Sequence, residues 1–432
     1  MGRGQARGGM TEPARAPSWF GQPRGLTILF LTNMWEQFSY YGMRALLVYY
    51  MTKQLMIAQE DSSLIYGAYT ACAYFTPIVG GVIADRLLGK KRAIILGGSI
   101  MALGHFMMAF EPLFYPALIT IALGNGLFLP SLPSQIDDLY APGDPRVGWA
   151  YNVYYVGVNI GGFLAPLICG TLGELYGWHY GFGAAGIGMV AGLCIYLYGQ
   201  RYLPAQALRP APEPIAGPRG RFSRELVLLL VAIGLSVTVF RAAYEQVGNT
   251  VALWADAGVD RRAGAVTIPM TWFQALNPLL VMVMTPPLLV AWRRRAERGG
   301  AERPMRKMAL GSWIVAGAYL MLAALGAAGG TAHWLWLVAF FVILTFGELH
   351  ILPTGLGLFA RLAPKGLGAT TVAAWYLATF AGSLAAGLVG TLWGRTGHGL
   401  FFLILAVFAL VAGLLLRLLD KLEQRMAVAS EM

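Results

Sequence analysis

The chain has 432 residues, 57% of them hydrophobic and only 12% charged, where an ordinary soluble domain carries about 25%. Its 32 Lys and Arg against 21 Asp and Glu leave a formal net charge of +11. So apolar a chain is not a soluble enzyme, a disordered protein or a nucleic-acid binder, and its positive excess points first to loops beside a membrane.

Residues 1–25, rich in Gly, Pro and Arg, read as a disordered cytoplasmic tail without the cleavage site of a signal peptide. Segments of the length a bilayer helix needs, about 20 residues, then follow near 26–51, 63–84, 93–112, 114–136, 147–172 and 180–203. A Pro-rich polar linker over 204–223 interrupts them. Further segments run near 225–250, 264–292, 307–328, 334–361, 367–393 and 398–419, ahead of a cytoplasmic tail over 421–432. The pattern predicts an all-α integral membrane protein with 12 transmembrane helices, six in a bundle over 26–203 and six in a bundle over 224–420. That is the layout of a secondary transporter with its site between two halves.

Lys and Arg fix the expected orientation. With the N-terminus in the cytoplasm, 26 of the 32 fall in inner loops and tails and 4 outside (Lys53, Arg261, Arg262, Arg395), leaving Arg44 and Arg241 within spans. The asymmetry predicts a multi-pass cell-membrane protein with both termini cytoplasmic. Cys72, Cys169 and Cys194 lie in apolar runs and read as small core residues. No nucleophile–base constellation or metal-ligand cluster stands out, so no enzyme activity, metal or cofactor is expected, and the chain is expected to act as a monomer.

Ionisable groups within the bilayer are costly and mark function by default. The first span carries Asn33, Glu36, Gln37, Tyr40, Tyr41 and Arg44 as one polar stripe on a helix face; it reads either as a structural seam with Glu36 satisfied by Arg44 or as a substrate or proton pathway. Gly80 to Arg92 form a glycine-flanked basic turn in which Asp85 pairs with a base or caps the next helix. Asn152, Tyr155 and Asn159 share a face of the fifth span, as interhelical glue or site lining. Arg241 and Glu245 stand four apart in the seventh, either a self-satisfied pair or one that opens with conformation. Burial disfavours the charged form of a carboxylate, which suits a proton carrier. Glu348 has no basic residue three or four positions away and needs a partner from another helix or a cationic ligand, while His350 faces elsewhere and reads as structural. Gln274, Asn277 and Pro278, and Trp375, are weaker candidates, a large aromatic in a span being most often packing.

Asp85-Arg86 with Gly89-Lys90-Lys91-Arg92 resembles the loop motif of the major facilitator superfamily. Within it, Trp35 to Arg44 (WEQFSYYGMR) resembles the helix 1 motif of the proton-dependent oligopeptide transporters, and Tyr154-Tyr155-Val156-Gly157-Val158-Asn159-Ile160-Gly161 their helix 5 signature. Tyr244-Glu245-Gln246, Phe273 to Pro278 and Gly347-Glu348-Leu349 with Pro353 are similar in turn. The resemblance implies a proton-driven importer of di- and tripeptides. In it Arg44 holds the peptide carboxylate and Glu348 the amine, while Tyr40, Tyr74, Asn159, Asn277 and Trp375 line the pocket. Glu36, Arg241 and Glu245 serve proton coupling and gating, and Asp85, Arg86, Gly89 and Lys90 form the conformational loop motif. Where the family motif has Glu-x-x-Glu-Arg, this chain has Asn33 to Gln37 (NMWEQ), and Leu129 stands where a helix 4 lysine is common. Efflux or uncoupled passage of another amphiphilic molecule is the alternative.

Overall fold

The computed structural model describes residues 21–141, 143–204, 221–299, 303–365 and 367–431, with side chains as far as Lys421. Most of the expected N-terminal tail (1–20) and linker (205–220) lies outside the described residues.

The first bundle consists of α1 (Arg24–Tyr49), α2 (Gln59–Ile83), α3 (Lys90–Met107), α4 (Phe114–Ser131), α5 (Val147–Ala165) and α6 (Trp178–Gly199). The second consists of α7 (Arg224–Tyr244), α8 (Trp272–Glu297), α9 (Pro304–Ala328), α10 (Trp334–Arg361), α11 (Gly368–Gly390) and α12 (His398–Glu431). Ten of these are long and apolar enough to cross a membrane. The other two are α1, which carries the polar stripe, and α3, which opens on Lys90-Lys91-Arg92. A belt of exposed Leu and Ile, among them Leu103, Ile119, Ile187, Leu235 and Leu388, surrounds the helices. Water does not tolerate so broad an apolar surface, and lipid requires it.

Interruptions follow local chemistry. α5 continues through a π turn at Pro166–Gly170, which opens on a proline with no N–H to give, and ends in Thr171–Leu175. α7 breaks into a 3₁₀ turn, Glu245–Gly248, and resumes as Thr250–Ala257 beyond the expected limit of 250. α8 begins at Trp272, not near 264, because residues 262–267 form a small hairpin, β2 (Arg262–Ala263) with β3 (Val266–Thr267). Gly264 turns that hairpin at a φ of 65°. Its neighbour β1 (Val259–Asp260) pairs in parallel with β4 (Ala332–His333). The last helix runs on to Glu431, through the segment read as a tail. Cys169 is buried, whereas Cys72 and Cys194 are exposed and so are not the core residues expected of them.

Each bundle has its own core. One cluster runs from Leu230 to Leu416 with no residue of the first half, and two others lie between Leu26 and Tyr196. A small cluster of Val48, Tyr49, Ala252 and Met270 joins the bundles, near the end away from the start of α1 and the end of α12. At this far end α2 lies on α11 and α5 on α8. Gly67 and Gly387 make the first crossing possible, since a Cβ on Gly67 would stand 2.5 Å from the Gly387 Cα. Small residues of this kind let membrane helices approach to backbone contact.

Candidate functional site

The far end is closed by a set of polar contacts between the bundles. Gln59 donates to the Gly390 carbonyl (3.0 Å) and Ser63 to Asn249 (3.2 Å). The Tyr49 hydroxyl donates to the Ala252 carbonyl (2.7 Å), and Thr271 donates to Glu174 (2.6 Å). Lys53–Asp256 and Arg395–Glu60, each at 2.6 Å, form the rim. Exposed pairs of this type contribute about 0–1 kcal/mol each, so the seal is a sum of small terms. Toward the near end, Tyr151 and Tyr155, on the Asn159 face of α5, are 38% and 48% exposed.

Beneath the seal lies the central charge cluster. Arg44 of α1 donates to the Tyr66 hydroxyl (2.8 Å) and to Oε2 of Glu245 (2.5 Å). Arg241, one turn before Glu245, donates to its other oxygen, Oε1. One carboxylate from the second bundle is thus held by a guanidinium from each half. The Arg241 guanidinium also lies over the Tyr74 ring (4.9 Å) and the Tyr244 ring (5.5 Å), where the ring faces favour a cation. Its Nε is buried with no hydrogen-bond partner among the described residues. Gly248 sits so close that a Cβ there would meet the Tyr66 hydroxyl at 2.1 Å.

Glu348 of α10 is different. Asn277 of α8 donates to its Oε2 at 2.5 Å, with the Tyr244 hydroxyl beside it, and no cation pairs with it among the described residues. Asn277 is also 3.1 Å from the Thr345 hydroxyl, which fixes the amide. Glu36, deeper in α1, is similarly without a cation: the Gln37 amide donates to it at 2.7 Å. The residue standing where the family motif has arginine thus gives a neutral hydrogen bond instead of a charge. Asn33 donates to the Tyr154 carbonyl (3.1 Å), so the upper stripe of α1 faces α5 inside the first bundle. The seam reading of Glu36 with Arg44 is not what forms, since Arg44 turns to Glu245.

The remaining expected residues divide. Tyr40 is half-buried and edge-on to Tyr41 (5.4 Å between ring centres). Gly162, one turn from Asn159, abuts both Tyr41 and Pro278, which brings α5 to the Asn277 side of α8. Asn159 itself donates back to the Tyr155 carbonyl at 3.0 Å. Trp375 is 5% exposed, packed edge-on to Phe359 and against Gly355 of α10, so its ring is placed with the core of the second bundle and not with the charged cluster. In the loop motif Asp85 and Arg86 are exposed, Gly89 turns the chain at φ 75°, and Lys90 is buried, donating to Asp138 (2.7 Å) and the Ser134 carbonyl (2.6 Å). The pairing or cap expected of Asp85 does not form among the described residues; Lys90 does the fastening. Sequence reasoning missed Tyr66, Asp138 and Glu174, none of which stands in a patterned stripe; Tyr66 had only its place on the tyrosine-rich second span to mark it.

Two six-helix bundles, joined at one end by polar contacts over buried charges, define a membrane transporter of the major facilitator fold. The profile of the POT family (PTR2) matches residues 91–215 and 223–407, and the chain belongs to that family. It is 30% identical to the di-/tripeptide transporter of Lactococcus lactis subsp. cremoris over 94% of this chain and 96% of that one. To the peptide transporter YePEPT of Yersinia enterocolitica it is also 30% identical, over 86% and 88%. A crystal structure of a peptide transporter POT variant in complex with alafosfalin superposes with a TM-score of 0.85 at 29% identity, covering 92% and 94% of the two chains.

Proposed function

We propose that this protein imports di- and tripeptides by proton symport, as a monomer with both termini in the cytoplasm, through rocking of the bundles 26–203 and 224–420 about the central site. One observation carries the reading: Arg44 and Arg241 share the single carboxylate of Glu245, while nearby Glu348 is held by the neutral Asn277 amide and forms no ion pair among the described residues. A peptide is a zwitterion, and its ammonium supplies the cation that Glu348 lacks. Its carboxylate competes with Glu245 for Arg44. A proton on Glu245 weakens that ion pair and releases Arg44 to the substrate, which links proton and peptide at one carboxylate. Tyr40, Tyr74, Asn159 and Asn277 line the path. The names of the relatives support the cargo, since those proteins are called di-/tripeptide and peptide transporters.

Uptake of labelled dialanine into proteoliposomes, with and without an inward proton gradient, tests this. Concentrative uptake that needs the gradient is expected. Absence of any dipeptide uptake refutes the cargo. Equilibration that ignores the gradient refutes the coupling and leaves a facilitator, the outcome that the neutral Glu36–Gln37 contact would favour.

A further inference from the structure

A cavity with a volume of about 590 Å³ is lined wholly by residues of the second bundle, at the near end. Its lining gathers Arg295 from the end of α8, Arg303, Arg306 and Lys307 from the start of α9, Arg361 from the end of α10 and Arg417 from α12. No carboxylate is among the described lining residues. Arg417 is held by the buried Asp420 (2.6 Å), and Lys307 stands over the Trp292 ring, 2.9 Å from its centre. The positive-inside rule accounts for many basic residues in the α8–α9 loop. It does not account for their convergence with Arg361 and Arg417 around one hollow.

Two further observations say what the hollow fits. The first turn of α9 carries Arg306 and Lys307 and no acid. A helix N-terminus is the positive end of the helix dipole and favours an anion, so the helix end and the converging basic side chains attract charge of the same sign. Second, Leu310 and Trp313 line the same cavity yet are 49% and 39% exposed on the lipid-facing side of α9. Tryptophans such as Trp292 and Trp313 favour the depth of the headgroups. The mouth therefore faces the bilayer edge and not the path between the bundles.

We propose that this cavity is a binding site for the phosphate headgroup of an anionic phospholipid of the leaflet on the termini side, with the acyl chains lying along α9. The volume suits a headgroup, and convergent basic pockets at this depth recognise such lipids. An occupant bridges α8, α9, α10 and α12. It reaches α10 through His350, two residues from Glu348 of the transport site. The inference needs the membrane placement of the chain but not the peptide cargo.

The test uses the full chain, purified in neutral detergent and supplied with phosphatidylglycerol, phosphatidylcholine or soluble glycerol phosphate. Phosphatidylglycerol is expected to raise Tm by about 2–4 °C and to be retained, one molecule per chain, in native mass spectrometry. The other two additives leave Tm unchanged. Arg295→Gln/Arg306→Gln, at two exposed helix-end positions, keeps the Tm seen in phosphatidylcholine and loses the phosphatidylglycerol shift. Should that pair of changes itself lower Tm in phosphatidylcholine, Arg306→Gln alone makes the same comparison. No shift in the unaltered protein, or a shift that survives both sets of changes, overturns the site. An equal shift with glycerol phosphate overturns the lipid and makes the occupant a soluble anion. Peptide uptake is a separate readout, so failure of the cargo and failure of this site are distinguishable.

Discussion

Gly67→Ala puts a methyl group into the far-end seal, and the structure says what it meets. The added Cβ would lie 2.5 Å from the Gly387 Cα, 2.7 Å from the Gly387 nitrogen and 2.9 Å from the Ser383 carbonyl oxygen. These are backbone atoms and cannot swing aside. Carbon atoms rest at about 3.5–4.0 Å, so α2 and α11 must part by about 1 Å. Overpacking of this kind costs about 1–3 kcal/mol. Because α2 and α11 belong to different bundles, the cost falls on the state with the far end closed and spares the state with it open. The closed-to-open ratio should then drop roughly 5- to 150-fold. A reporter Ser63→Cys, placed in the seal on a background of Cys72→Ser and Cys194→Ser, reads this as the rate of modification by a membrane-impermeant thiol reagent added outside. Gly387→Ala should give the smaller acceleration, since its Cβ would stand at 3.0 Å from the Gly67 Cα and 3.1 Å from the Ser63 oxygen. Unchanged labelling in Gly67→Ala protein, or the reverse order of the two variants, refutes the reasoning that this crossing closes the far end.

The charged site gives three further expectations. Arg44→Ala weakens binding of peptides with a free C-terminal carboxylate and spares C-terminally amidated ones in a competition assay; equal loss for both makes Arg44 structural. Glu348→Gln removes the preference for a free amine, so that N-acetylated and free dipeptides compete alike, whereas retained preference places the ammonium elsewhere. Glu245→Gln strands Arg44 and Arg241; breaking a buried pair costs about 3–5 kcal/mol, less here because the Arg44 side chain is 16% exposed. Gradient-driven uptake should disappear while exchange of peptide for peptide continues, and intact gradient-driven uptake removes Glu245 from the coupling.

Much of the helical frame was legible, because a bilayer leaves the backbone few other ways to satisfy its hydrogen bonds and apolar length reports it directly. The start of α8 was not: Val266 and Ile268 look apolar enough to extend the span, yet Gly264 and the Arg261 contact with the Ile268 carbonyl (2.9 Å) fold them into the loop. Spacing revealed the Arg241–Glu245 pair, since four residues is one helical turn. It could not reveal that Arg44 joins the same carboxylate from 201 positions away, which only the closing of the two bundles brings about. Trp375 shows the converse limit. The family resemblance places it in the pocket, but it packs against Gly355, a residue whose missing side chain leaves no mark in a hydropathy pattern.

The low charge count takes on meaning once these contacts are known. Within the membrane core, Arg44 and Arg241 stand against Glu36, Glu245 and Glu348, one acid in excess if all were ionised. Among the described residues only Glu245 of these forms ion pairs, and it forms two. A carboxylate held from both halves ties the bundles together beneath the closed far end, while the other two acids are held by neutral amides; under the proposed function these are the groups open to a proton or a substrate cation. The seal above them consists of glycine crossings and short polar contacts, individually weak. Under the proposed function, opening and closing follow what occupies Arg44: Glu245 when the site is empty and deprotonated, a carboxylate of the cargo when it is not.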